Sequence, residues 1–352
     1  MPQFTQLVQQ AASRGASDLH LVCGLPPQCR LHGKLLPLTE TPLTHEDCES
    51  LAREIAGKQA EAIAQTGELD LASSLGGQRL RINLFRQQGH VSAAVRLLAQ
   101  SIPVLETLGL PPAVTELSHY PSGLVLVTGE TGSGKSTTLA ALLDEINHTR
   151  RCHIVTLEDP IEYVYTPDQA VINQREMGRD AENYNAALRA VLREDPDVIL
   201  IGEMRDTETI EAAITAAETG HLVFATLHTN SAAGAIDRMV DVFPGERQRQ
   251  IRLQLSMTLR AVVSQRLLPK QDGTGRVLAC EVMVVTPAIA NLIREGKTPQ
   301  IQSSMATSAN QGSVTMDSAL IRLRRAGLIT QEDAFRCAQD VDYVRRGVSA
   351  AR

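Results

Sequence analysis

This chain has no tryptophan, and aromatic residues fill only 3% of its 352 positions. A groove for single-stranded nucleic acid needs a row of stacking rings, and there are too few here to build one. Nor is there a surplus of positive charge. Lys and Arg number 34 against 40 Asp and Glu, a formal charge of −6, whereas binding a phosphate backbone draws on a basic face. No nucleic-acid partner is therefore expected, and the group Arg322, Arg324 and Arg325 reads as a solvated helix face. The six cysteines, Cys23, Cys29, Cys48, Cys152, Cys280 and Cys337, form no C-x-x-C pair. They read as reduced structural thiols of a cytoplasmic protein. No apolar run reaches the roughly eighteen residues that cross a bilayer. The opening MPQFTQLVQQAASRG lacks a signal-peptide core, and no internal repeat or low-complexity tract is visible.

What remains is an ordinary globular balance, 43% hydrophobic and 21% charged, in a chain long enough for two cores. Residues 1–15 are amphipathic at helical spacing, and residues 17–22 alternate as a half-buried strand does. Gly24 to Pro27 makes a turn, Cys29–Leu31 a second strand, and His32–Gly33 a hairpin turn into Lys34–Leu36. Thr44 to Gln65 reads as one helix, with Thr44 as N-cap and Asp47 three residues on. Leu80–Arg86 and Val91–Leu97 are two more strands joined near Gly89. Residues 1–100 thus read as a small α+β domain and 101–115, rich in proline, as a linker. Over 116–342 short apolar runs recur at Leu124–Val127, His153–Thr156, Val198–Ile201 and Leu222–Ala225. That is the rhythm of a parallel sheet covered on both faces, with ligand groups at the strand ends. From about Pro244 the pattern reads as mainly helical, and 343–352 as a mobile tail.

The sharpest signal is Gly129–Glu130–Thr131–Gly132–Ser133–Gly134–Lys135–Ser136, which matches the phosphate-binding G-x-x-x-x-G-K-[ST] pattern. A buried strand enters it, and a helical stretch, Thr137 to Asn147, leaves it. Glycines let successive N–H groups point at phosphate oxygens, and the helix N-terminus adds positive dipole. Gly129 and residues Thr131 to Thr137 are expected to hold ATP, with Lys135 on the β- and γ-phosphates and Ser136 on Mg²⁺.

Hydrolysis further needs a metal organiser, a group that orients water, and positive charge. Glu203 follows the strand Val198–Ile201 after Gly202 and is the candidate metal carboxylate, acting partly through water. Glu158, Asp159 and Glu162 crowd the turn after His153–Thr156. Like charges so close need a cation or donors among them, and Glu162 is the candidate base. His221 and His228 bracket one strand at i and i+7, at opposite ends and on opposite faces. His228, at the carboxyl end, is placed to sense the γ-phosphate. Arg81, Arg86 and Arg96 lie on the strand pair of the first domain and are candidate arginine fingers.

Taken together these residues resemble the secretion and type IV pilus ATPases, and most closely the PilT-type pilus-retraction (twitching motility) motors. The similarity runs from SDLHL (17–21) through GETGSGKSTT (129–138), LEDPIEY (157–163) and LREDPDVILIGEMRDTETI (192–210). It continues in TAAETGHLVFATLHTNSA (215–232), AIDRMVDVFP (235–244), SQRLLP (264–269) and TPAIANLIREGK (286–297). The resemblance implies a homohexameric ring with an N-terminal PAS-like domain and a RecA-like P-loop ATPase domain of α/β class. Glu162 matches that family's catalytic carboxylate, Glu203 its Walker B acid, and His221 and His228 its histidine box. Arg81 and Arg96 match its R-V-N and V-x-R segments. The resemblance further implies ATP and Mg²⁺ between the domains, and an inner-membrane pilus platform protein as partner. It places the ring on the cytoplasmic side of that membrane, at the pilus base, and admits a paralogous retraction ATPase as a further partner.

Two positions depart from the family pattern: Ala290 stands where an arginine is usual in the retraction-linked segment, and Glu130 where proline or alanine is common. Glu130 is expected to point outward. An accessory PilU-like retraction ATPase fits Ala290. A pilus-assembly or type II secretion ATPase shares the catalytic boxes but usually carries a tetracysteine motif. A ring subunit that binds ATP without hydrolysing it is the alternative of another class.

Overall fold

The computed structural model describes residues 3–31, 33–98 and 101–349. His32 of the expected hairpin turn, residues 1–2 of the expected first helix and residues 350–352 of the expected tail lie outside them. The chain forms two compact units, Met1–Ser101 and Ile102–Arg352.

In the first unit, α1 (Phe4–Ser13) precedes β1 (Asp18–Leu21), β2 (Gln28–Leu31) and β3 (Lys34–Pro37). Then come α2 (His45–Ala56), α3 (Ala60–Thr66), β4 (Glu68–Leu75), β5 (Gln78–Gln87) and β6 (His90–Leu97). The six strands form one antiparallel sheet in the order β3-β2-β1-β6-β5-β4. Phe4, Leu7 and Val8 of α1 and Cys48 and Leu51 of α2 join Leu19, Ile82, Leu84 and Val95 in its core. The helix expected over Thr44 to Gln65 starts as expected: Thr44 and Asp47 form a capping box. It breaks at Gly57, whose φ of 53° leaves the helical region. Strand β4 was not foreseen. Its sequence, ELDLASSL, has no fully buried position, so its state is decided by pairing with β5.

The second unit opens with the short helix α4 (Pro112–Thr115), then β7 (Gly123–Thr128), α5 (Lys135–Thr149), β8 (His153–Glu158) and β9 (Val171–Glu176). Next are α6 (Tyr184–Val191), β10 (Val198–Ile201), α7 (Thr207–Glu218), β11 (Leu222–Leu227), α8 (Ala232–Asp241) and α9 (Gly245–Thr258). The remainder is β12 (Leu259–Pro269), β13 (Arg276–Val284), α10 (Pro287–Glu295), α11 (Ile301–Thr307), α12 (Met316–Arg325), α13 (Gln331–Cys337) and α14 (Val341–Ser349). The sheet order is β13-β12-β7-β11-β10-β8-β9, parallel except for the β12–β13 pair. Alternate residues of one strand enter different cores: Leu124 and Leu126 lie on one face, Val125 and Val127 on the other, as the period of two requires.

The chain after Pro244 is mainly helical, as expected, but two strands interrupt it: β12 and β13 pair over nine positions. Two other local expectations are corrected by the structure. Residues 343–349 are not a loose tail: they belong to α14, and Val344 is buried beside Leu320 and Ile329. The stretch from Ile102 to Thr115 packs into the second unit, where Leu105 and Val114 are core residues.

Candidate functional site

The phosphate loop leaves β7 at Thr128 and enters α5 at Lys135. Gly129, Gly132 and Gly134 have φ of 142°, 78° and 96°, values that side chains resist. Gly129 is also closed in. A Cβ there would lie 2.4 Å from the Gln265 carbonyl oxygen and 2.6 Å from Ser133 Oγ, so the loop rests against β12. Lys135 is 9% exposed, and its Nζ donates to the carbonyls of Gly129 at 2.8 Å and Glu130 at 3.0 Å. Burial lowers its pKa, and the nearby charges of Glu203 and Glu162 oppose that shift. Those influences bring the lysine and the two acids into one electrostatic group. Ser136 and Thr137 occupy the first turn of α5. Thr131, Gly132 and Ser136 are exposed, as is Glu130, while Ser133 is buried.

The acids stand at the same sheet edge, at the ends of β10 and β8, beyond β11. Gly202 is closely packed: a Cβ would sit 3.0 Å from the Tyr184 hydroxyl and 3.1 Å from the Leu157 carbonyl. Its own N–H donates to Leu157 at 2.8 Å and its carbonyl accepts the Thr226 hydroxyl. Glu203 emerges two positions beyond β10. Its Oε2 lies 2.7 Å from Arg205 Nη2, and its Oε1 lies 3.3 Å from His228 Nε2. The Arg205 hydrogen bond holds the carboxyl below the usual range, with the charges of Arg205, His228 and Lys135 acting the same way.

At the end of β8, Glu158 accepts Thr156 Oγ1 at 2.6 Å and Gln174 Nε2 at 3.2 Å, while burial pushes its carboxyl up. The Asp159–Pro160 peptide is cis. The turn then brings Tyr163 to α5, where its hydroxyl meets Thr137 Oγ1 at 3.0 Å. Glu162, the preceding residue, is half-buried.

Residues 2–336 match the family described as type II/IV secretion system protein. The chain belongs to that family. The type IV pilus retraction ATPase PilT of Pseudomonas aeruginosa is 48% identical over 333 residues, 94% of this chain and 96% of that protein. PilU, a type IV pilus ATPase of the same organism, is 39% identical over 345 residues, 97% of this chain and 90% of that one. Among solved structures, the pilus retraction motor PilT with bound ADP superposes with a TM-score of 0.91 at 48% identity, covering 98% of this chain and 100% of that one. The fold is that of a secretion ATPase: a RecA-like ATPase domain and a smaller N-terminal domain.

Not every expected site residue of this secretion ATPase joins the group. His228 follows β11 at the edge shared with the phosphate loop, since Leu227 pairs with Thr128. His221 precedes the strand, at the opposite edge. The six residues of β11 put about 20 Å between them. His221 Nδ1 lies 2.9 Å from the Ala216 carbonyl and 3.1 Å from Thr219 Oγ1, which ties down the turn after α7. Arg81 and Arg96 are direct cross-strand partners in the first unit, both exposed. Like charges opposite one another repel, and Asp18, 3.2 Å from Arg96 Nε, offsets this. Arg86 donates to the Gly89 carbonyl at the hairpin turn. Arg205, Tyr163 and Gln265 escaped the sequence reading. Only the Arg205 spacing, two residues after an acid in a turn, was a signal. The other two depend on contacts across the sheet, including a buried 2.7 Å hydrogen bond from Gln265 Nε2 to Thr138 Oγ1.

Proposed function

We propose that this secretion ATPase is a hexameric, Mg²⁺-dependent motor that powers type IV pilus retraction, driving a platform protein of the inner membrane from the cytoplasmic side. The observation that carries the reading is the group at one sheet edge: a buried Lys135 at a loop-to-helix junction, under the influence of Glu203 and Glu162. Gly129, Thr131, Gly132, Ser133, Gly134, Lys135, Ser136 and Thr137 are the proposed triphosphate cradle. Lys135 exchanges its two carbonyl partners for phosphate oxygens. Glu162 orients the attacking water, and His228 reports on the γ-phosphate through its contact with Glu203. Arg81 and Arg96 are proposed to supply positive charge from a first unit. His221, on this geometry, anchors a turn of the ring subunit rather than touching this chain's own phosphates.

The donor set suits Mg²⁺, a hard cation that takes oxygen ligands and retains water. Ser136 offers a hydroxyl, and Glu203 offers a carboxylate kept ionised by its neighbours. Bound there, the metal would neutralise charge on the β- and γ-phosphate oxygens.

Purified chain given ATP and Mg²⁺ should release inorganic phosphate. None released in any assembly state would leave only a nucleotide-dependent scaffold. Deletion of the gene should give hyperpiliated, non-motile cells, whereas loss of all filaments would indicate an assembly ATPase. Ala290, together with the PilU match over 97% of the chain, favours an accessory role as the second reading. In that case motility would survive the deletion while another retraction ATPase remained.

A further inference from the structure

Glu281, in β13, is only 1% exposed, yet it carries a carboxylate. Its oxygens accept hydrogen bonds from three separate segments. Oε1 takes the Ala232 N–H at 2.7 Å, while Oε2 takes the Met316 N–H and Gln339 Nε2, each at 3.2 Å. Ala232 and Met316 are the first residues of α8 and α12. Two helix N-termini, each with unpaired N–H groups and positive dipole, thus converge on one anion. Burial raises the carboxyl's pKa and nearby Asp317 adds to the shift, while the three donors oppose it. A buried charge is seldom the most stable filling for a core position, and an apolar residue often does as well or better. What the carboxylate adds is a defined position for whatever it binds.

What lies beside Ala232 is the catalytic edge. Only His228, Thr229, Asn230 and Ser231 separate β11 from α8. One end of this loop is held by the pairing of Leu227 with Thr128. The other is held by Ser231, whose Oγ accepts the Gly234 N–H at 3.1 Å, and by Glu281. On the far side, Asp317 accepts the N–H groups of Gln339 at 2.7 Å and Asp340 at 2.9 Å, at the start of α14. Hydrogen bonds therefore run from Ala232, four residues after His228, through Glu281 to Met316 and Gln339, and from Asp317 on to the start of α14.

We propose that Glu281 is a positioning residue that sets His228 against Glu203 and makes that placement depend on α12 and α14. The inference rests on the proposed role of His228 in hydrolysis. A load or partner that shifts the C-terminal helices would then alter turnover without touching the nucleotide.

The test uses the full chain. Glu281→Gln is isosteric but presents an NH2 group where one backbone N–H needs an acceptor. Its kcat should fall about tenfold, the scale of coupling between groups in one network. KM for ATP and the affinity for a fluorescent ADP analogue should stay within about twofold. Combined with His228→Ala, it should add no further loss to that of His228→Ala alone. An unchanged kcat, a rise in KM alone, or additive losses in the double variant would each overturn the proposal. If His228→Ala by itself hydrolyses normally, the reading of the site fails and takes this inference with it; additive losses with a slowed His228→Ala sink the inference alone. Should Glu281→Gln not fold, amide hydrogen exchange on the unmodified chain decides the matter. A non-hydrolysable ATP analogue should slow exchange at Ala232 and Met316 together, and a response confined to Ala232 would refute the coupling.

Discussion

Glu203 sits between an exposed guanidinium and an imidazole, and its depressed carboxyl pKa follows from them. The consequence for pH has a definite sign. A carboxyl lowered in the folded state contributes stability above its ordinary value, about 4.3. That contribution disappears as pH falls through the depressed value. Removing the strongest partner with Arg205→Ala should raise the Glu203 carboxyl and move the acid limb of the kcat–pH profile to higher pH; an unmoved limb would show that Glu203 does not set it. Glu162→Gln should bind ATP yet turn over at least about 100-fold more slowly, the scale of losing a general base. Single-turnover phosphate release measures this directly, and unchanged turnover would transfer the role to another acid, Glu203 first. Lys135 has a pKa lowered chiefly by burial, so its charge is costly in the folded chain. Lys135→Met keeps the packed stem and should abolish ATP binding in a calorimeter while leaving Tm unchanged or raised.

Among elements, β12 packs its Gln265 carbonyl against the phosphate loop and ties α5 through the Gln265 side chain at Thr138. Gly129→Ala would drive a Cβ into that carbonyl at 2.4 Å and into Ser133 Oγ at 2.6 Å. It should lower unfolding free energy by about 1–3 kcal/mol, the range for backbone forced from its region, and weaken nucleotide binding in parallel. Denaturant unfolding with and without ADP checks both. The same element shows where reading by pattern stops. Strand β7 was legible because Leu124–Val127 is wholly apolar and ends at a glycine loop. Strand β12 was not. No glycine or proline separates it from α9, and the helical spacing of Ile251 and Leu255 runs straight into Leu259. It became a strand by joining β7 on one side and β13 on the other. Strand β4 illustrates the complementary case, a half-exposed edge whose alternation is too weak to register.

At the scale of the whole molecule, the proposed ring predicts a defined oligomer, with light scattering or native mass spectrometry expected to find six copies. A monomer of full activity would contradict that ring. Which chemistry this chain performs was readable from residue order. The glycine spacing of the loop, the lysine after it and the acids that follow short apolar strands are local patterns, and backbone geometry demands them one after another along the chain. Which of those residues meet was decided elsewhere. The i and i+7 spacing already set His221 and His228 at opposite ends of one strand, but that His228 meets Glu203 was not written in it. Arg205 acquires its role from a 2.7 Å contact with Glu203. Glu281 draws together three segments remote in sequence, at residues 232, 316 and 339. Contacts between distant residues arise only when the sheet closes and its cores pack, because side-chain proximity across strands is a property of register and not of neighbouring letters.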